Sequence, residues 1–395
     1  MLLISTRFLF WALSGGVLGA ALPSVAFAAT ETTVYSFKGG TNDGSSPNGL
    51  LDVNGLLYGT TSAGGSGGGT IFKLTLAGKE TVLHSFDQNS SDGYLPFMGS
   101  ALVKVGGQLY GTTAQGGAYG QGTIFSVTPA GIEKVLYSFQ GGTDGCYPEA
   151  GLTNVGGTLY GTTALCGSPP PDGAGTLFKA TISGAETVLY TFVGSDGGTP
   201  ATALLNVGGT VYGTTSAGGS KDCRDDLGCG TVFSASLAGA VTTLHTFRGY
   251  RNGAYPKGLI KVGDKVYGTT QAGGSLGGYC GKPGCGTIFR LSQTDGAFRV
   301  LYSFQGGSHD GEVLLAGLTK VGATLYGTTA AGGASGYGTV FQATTAGAET
   351  VLYSFPAHGN FADPSADLIN VGGVLYGTTI GGGSYNQGTV FKLVP

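Results

Sequence analysis

The stretch Gly151-Leu-Thr-Asn-Val155, Gly156-Gly157, Thr158-Leu-Tyr-Gly-Thr-Thr163 decides how this chain folds, together with Gly175-Thr-Leu-Phe-Lys-Ala-Thr181, Ser183-Gly184 and Glu186-Thr-Val-Leu-Tyr-Thr-Phe192. It holds four short runs rich in β-branched and aromatic residues, each bounded by glycine, which is the pattern of strands. The Gly-Gly and Ser-Gly steps are tight turns, and tight turns join antiparallel neighbours. We name the four strands A to D in chain order. A longer Gly/Pro-rich loop separates B from C.

The same text runs through the whole chain. Tyr-Gly-Thr-Thr begins at Tyr58, Tyr110, Tyr160, Tyr212, Tyr267, Tyr326 and Tyr376, with copies 50 to 59 residues apart. Gly-Thr-(Ile/Val/Leu)-Phe ends at Phe72, Phe125, Phe178, Phe233, Phe289, Phe341 and Phe391. A third phrase, (Tyr/His)-(Ser/Thr)-Phe, ends at Phe37, Phe86, Phe139, Phe192, Phe247, Phe304 and Phe355. Four antiparallel strands per unit, repeated seven times, predict an all-β fold: a seven-bladed β-propeller over residues 29–395. A solenoid would stack parallel strands, which the tight turns do not fit. The phase adds a closure rule. Glu31–Phe37 reads as a D strand ahead of the first A, and Gly388–Pro395 ends as a C strand. The N-terminal strand is therefore expected to complete the last blade and remove an open sheet edge.

Composition agrees. Of 395 residues 79 are Gly and only 10% are charged, against roughly 25% charged in ordinary soluble domains. So much glycine disfavours a helix bundle, and the lack of a Lys/Arg excess disfavours a nucleic-acid partner. Residues 1–28 differ from the rest: Arg7, an apolar run, then Val25-Ala26-Phe27-Ala28, which reads as an export signal cleaved after Ala28. Past that point there is no Trp, which disfavours propeller families built on repeated tryptophan. The protein is expected to be secreted, periplasmic or at the cell surface, with no membrane insertion once the signal is removed.

The Leu-Tyr-Gly-Thr-Thr…Gly-Gly…Gly-Thr-Val-Phe text resembles the GloVer (Gloeo/Verruco) tandem repeat of exported bacterial proteins, over essentially the whole mature chain. The resemblance implies a secreted or surface protein without assigned catalytic residues. Members often carry a separate C-terminal sorting segment, and here the text stops at Pro395 inside a strand.

Function is expected on the face made by the B–C and D–A loops, because those are long and variable while the A–B and C–D turns are short. Eight tyrosines stand outside the repeat text, all in those loops: Tyr94, Tyr119, Tyr147, Tyr250, Tyr255, Tyr279, Tyr337 and Tyr385. Tyrosine stacks on sugars or peptides and still donates a hydrogen bond; it also pins glycine-rich loops. The same face is acidic. Asp-Gly steps at Asp43, Asp92, Asp144, Asp196 and Asp310 favour turns; read together they could instead form an oxygen ring for Ca²⁺. No other cofactor is expected.

Six cysteines cluster on this face, and the expected disulfides are Cys146–Cys166, Cys223–Cys229 and Cys280–Cys285. A four-cysteine zinc site is the alternative, without the close spacing of a zinc finger, and no metal site is expected. No catalytic constellation stands out. His84 and His245 replace Tyr in the strand D phrase and read as structural. Glu80, Glu133, Glu186 and Glu349 are expected to keep outer strands soluble. The chain therefore reads as a non-catalytic, monomeric propeller that binds an extracellular glycan or protein through the loop face, with those eight tyrosines, Asp225 and Asp226 as the candidate ligand contacts. The competing reading is a secreted polysaccharide-active hydrolase or lyase, using acids of that face such as Asp225, Asp226 or Glu312. Glycosidases need two carboxyls at a defined separation.

Overall fold

The computed structural model describes residues 29–88, 91–97, 100–168, 173–223, 227–275, 279–281, 284–357 and 362–395. The expected signal segment, Asp225 and Asp226 lie outside them. The chain forms seven four-stranded antiparallel sheets, the blades of a β-propeller. Among the described residues there is no α-helix, only two single 3₁₀ turns at Gly142–Asp144 and Gly307–His309. In the third blade the strands are Thr153–Val155, Thr158–Thr163, Thr176–Thr181 and Glu186–Thr191, in the order A-B-C-D.

Each phrase of the repeat has a packing reason. The Gly of Tyr-Gly-Thr-Thr lies under the Phe of the paired strand C. A Cβ there would sit 2.4 to 2.6 Å from the ring's Cζ in every blade, so only glycine fits. That Phe meets the strand D Phe of the preceding blade edge to face, with ring centroids 5.1 to 5.3 Å apart at all seven seams. The second Thr of Tyr-Gly-Thr-Thr bonds the Thr of Gly-Thr-x-Phe, Oγ1 to Oγ1, at 2.8 to 2.9 Å in all seven blades. The first Thr reaches the next blade: Thr112 donates to Ala150 O, Thr269 to Ala316 O and Thr378 to Asn48 O. The markers therefore encode contacts between blades as well as strands within them.

Strand D is bulged in every blade. The pairing shifts by one residue beside the strand C Phe, as between Leu177 and Phe178, which strengthens the local twist. The extra residue turns its carbonyl to the next blade. At five seams the glycine of that blade's C–D turn, at positive φ, lies against it: Gly78 on Val34, Gly131 on Leu83, Gly184 on Leu136, Gly239 on Leu189 and Gly347 on Leu301. A Cβ would come within 2.6 Å of the oxygen at each.

The ring closes as the phase of the repeats requires. Thr30–Ser36 pairs antiparallel with Thr389–Val394 as the outer strand of the seventh blade.

All three expected disulfides are present, Cys146–Cys166, Cys223–Cys229 and Cys280–Cys285, and no described cysteine is free. Three disulfides fit an oxidising extracellular or periplasmic compartment. No described helix is long and apolar enough to cross a membrane. Cys146–Cys166 closes the longest loop, 20 residues. Replacing both cysteines by serine should cost about 3 kcal/mol of unfolding free energy, since the unfolded chain regains that loop's freedom. Denaturant melts should show it, and an unchanged midpoint would refute it.

Candidate functional site

The strands A crowd the axis, and one position controls how closely. Just before the Leu that packs between blades stand Gly49, Ala101, Gly151, Ala203, Gly258, Gly317 and Asp367. A Cβ on Gly49 would lie 3.0 Å from that of Ala101, and one on Gly317 would lie 3.0 Å from Gly258 Cα. Small residues therefore let the ring tighten to backbone contact. Asp367 is the exception. Its side chain crosses the axis toward the sixth and fifth blades: Oδ1 accepts from Gly317 N–H at 2.6 Å, and Oδ2 would lie 3.4 Å from a Cβ on Gly258.

Above this constriction, where the D–A loops enter strands A, lies a depression of about 390 Å³. Its wall is part apolar, with Phe97, Leu204, Leu259 and Leu315, and part polar, with Thr202, Ser216, Ser365, Glu149, Lys257 and Asp367. Asp367 is exposed to the depression; crowding by the surrounding strands raises its pKa above the ordinary carboxylate value, and the Gly317 N–H opposes that shift. Burial likewise pushes Glu149 up and Lys257 down, and each one's charge opposes the other's shift. Ser365 is only 5% exposed, and its Oγ has no hydrogen-bond partner.

None of these residues was singled out from sequence, yet a signal existed. At the three positions leading into strand A the repeats carry small or neutral residues. Glu149, Lys257 and Asp367 are the single charged residue at each of the three. A residue that breaks a sevenfold pattern once is a better candidate for a site than one that keeps it.

The eight loop tyrosines are not drawn into this depression. Tyr119, Tyr279 and Tyr385 are exposed on separate loops. Tyr94, Tyr255 and Tyr337 pack on the hydrophobic clusters between blades. Tyr147 is half-buried with positive φ, and Tyr250 lines a shallow hollow with Asp222, Arg248 and Arg251. Glu312 lies against the Cys280–Cys285 disulfide, outside the depression.

A family model described as the Gloeobacter/Verrucomicrobia repeat matches residues 22–225 and 225–391. The chain belongs to this repeat family. No curated protein matches it. Among solved structures it is similar to an oligogalacturonate lyase from Vibrio parahaemolyticus, at 12% identity and a TM-score of 0.58, over 92% of this chain and 93% of that one. It is also similar to the GH74 enzyme of Niastella koreensis, at 14% identity and a TM-score of 0.55, over 92% of this chain and 53% of that one. At such identities the likeness is one of fold.

In this Gloeobacter/Verrucomicrobia repeat protein the Asp-Gly loops serve the seams. Asp43 accepts from the Tyr35 hydroxyl at 2.9 Å and from Lys38 N–H at 2.8 Å. Asp310 does the same with Tyr302 and Gln305, and Asp144 with Tyr137 and Gln140. The glutamates expected to solubilise outer strands do something else. Glu80, Glu133, Glu186 and Glu349 each turn into the seam with one carboxylate oxygen buried and without a hydrogen-bond partner. Desolvation, reinforced by the neighbouring Asp, pushes Glu80 and Glu349 up to about 7 and Glu186 up to about 8. The C–D turn folds onto the preceding blade and carries the glutamate inward, which a single repeat read alone does not reveal. At the fourth seam the pattern is apolar instead: His245 stacks on Phe298 at 3.6 Å and contacts Asn252. Burial there holds the imidazole at about 4.

Proposed function

We propose that this protein is an exported, monomeric, non-catalytic propeller that seats the end of an extracellular glycan in the axial depression of its loop face. One observation carries the reading. Glu149, Lys257 and Asp367, each unique among seven otherwise neutral repeats, line one part-apolar depression. A sugar ring presents an apolar face and a rim of hydroxyls. The leucines and Phe97 suit the face, and the carboxylates and Lys257 suit the rim. The disulfides and the N-terminal segment support export.

Screening the purified protein on a glycan array, followed by calorimetry on the best ligand, tests this. Lys257→Met should weaken binding at least tenfold, because a buried charge-assisted contact is lost, while Tyr119→Ala and Tyr385→Ala should leave it unchanged. The reverse pattern would move the site to the loop tyrosines, and a protein ligand competing for the same depression would replace the glycan. A second reading has one specific observation behind it. Glu149 and Asp367 are two carboxyls of raised pKa on one depression, as a polysaccharide-cleaving enzyme needs. Chain shortening of the bound glycan, abolished by Glu149→Gln, would favour it.

A further inference from the structure

Among the described residues, the seam between the first two blades differs from the other six in its chemistry. His84, from the strand Glu80–Asp87, and Asp92, from the loop that follows, face Glu133, the first residue of the strand Glu133–Ser138. One imidazole nitrogen and one oxygen from each carboxylate all lie within 4.8 Å of one another. His84 Nε2 and Asp92 Oδ2 are 2.8 Å apart. Donor atoms bound to one ion at about 2.0–2.2 Å sit about 3 Å from each other; the His84–Asp92 pair already has that spacing, and Glu133 is close enough to complete the set with a small side-chain movement.

Glu133 Oε1 is withdrawn from solvent without a hydrogen-bond partner, as is the same oxygen of Glu80, Glu186 and Glu349. What sets this seam apart is the imidazole beside the two carboxylates, and the other seams supply the comparison. Three of them place the same Asp and Glu beside a tyrosine: Tyr35, Tyr137 and Tyr302. The other seam histidine, His245, has lost both carboxylates to Asn252 and Phe298. Imidazole and two carboxylates therefore meet once among the described residues. The ring of His84 is held edge-on to Phe86 with centroids 4.9 Å apart, and His84 and Asp92 remain 23% and 18% exposed, which leaves an ion a way in.

We propose that His84, Asp92 and Glu133 bind a divalent first-row transition ion that clamps the first blade to the second. One nitrogen and two oxygens suit Zn²⁺ or Mn²⁺, whereas Ca²⁺ and Mg²⁺ prefer all-oxygen shells. Three protein ligands leave room for water. The cysteines are oxidised and offer no competing thiolate. The site is separate from the axial depression, and neither reading depends on the other.

The test uses the repeat's own alternatives. Zinc chloride and manganese chloride are titrated into the chelator-treated full chain by calorimetry. One equivalent is expected, with calcium chloride binding at least a hundredfold more weakly. His84→Tyr restores the residue found at the tyrosine seams, so it should fold normally, as its thermal melt will show, and lose the equivalent. Tyr137→His places imidazole beside Asp144 and Glu186 and should add a second. The proposal is overturned if His84→Tyr binds zinc as tightly as the unaltered protein, if no ion binds the unaltered protein, or if calcium binds as tightly as zinc.

Discussion

Replacing residues 30–37 by a flexible Gly/Ser segment of equal length should abolish cooperative folding at 37 °C, a larger effect than any single core substitution. The strand Thr30–Ser36 is the outer member of the seventh blade and pairs along its length with Thr389–Val394. Its loss exposes the backbone of that partner as an open edge, which invites association. Phe37 goes with it, and Phe37 is fully buried, edge-on to Phe72 of the first blade. It shares its cluster with Leu50, Leu57, Tyr376 and Val390, so it bridges the first and last blades. Phe37→Ala alone should cost about 3–5 kcal/mol, the usual loss on emptying an aromatic core site. That is a large fraction of the 5–15 kcal/mol by which domains are stable. The equivalent Phe192→Ala, at an internal seam, is the control. If closure depends on the N-terminal strand, the segment replacement should melt far below both point variants. A replacement that melts within about 2 °C of the unaltered protein would end the argument for closure.

The second large effect is a loss of stability as pH rises from about 5 to 8. Glu80, Glu186 and Glu349 have native pKa values of about 7, 8 and 7, against an ordinary value near 4.5. Each is desolvated first and then opposed by an aspartate: Asp43, Asp144 and Asp310 respectively. Lys38 eases Glu80, and the hydroxyls of Tyr137 and Tyr302 ease Glu186 and Glu349. Above pH 4.5 the unfolded chain releases these protons while the native seams keep them. The native state then binds more protons than the unfolded state, so stability falls with rising pH. The contribution is complete below about 4.5 and gone above about 8. These groups are only half-buried, so screening reduces the effect to about 1 kcal/mol per seam. Glu186→Gln should raise the melting temperature at pH 8, leave it nearly unchanged at pH 5, and flatten part of the slope. A stability profile that rises between pH 5 and 8 would refute the protonated seams.

Repetition made the fold readable. Seven copies of three phrases supply the blade number, the four-strand unit and the strand that closes the ring, because local β-propensity, glycine turns and a fixed order suffice for those. Cys146–Cys166, Cys223–Cys229 and Cys280–Cys285 were readable for a related reason: each pair falls on loops at the same end of one blade or of adjacent blades. The seam glutamates were misread. From one repeat Glu186 looks like a solvent-facing strand residue, and only the next blade's packing against Leu136 turns it inward. The axial residues were overlooked, since a lone Asp367 among glycines and alanines has no meaning until the strands A are brought around one axis.

Turns, periodicity and order along the chain are enough to specify a ring of seven antiparallel sheets, its closure and its cross-links. Only folding brings Glu149, Lys257 and Asp367 onto one axial depression, and His84 and Asp92 against Glu133 across one seam. The physical reason is twist. The bulge in each strand D and the close approach of the glycine-lined strands A set where neighbouring blades touch, and side chains about 50 to 200 residues apart become partners only through that geometry.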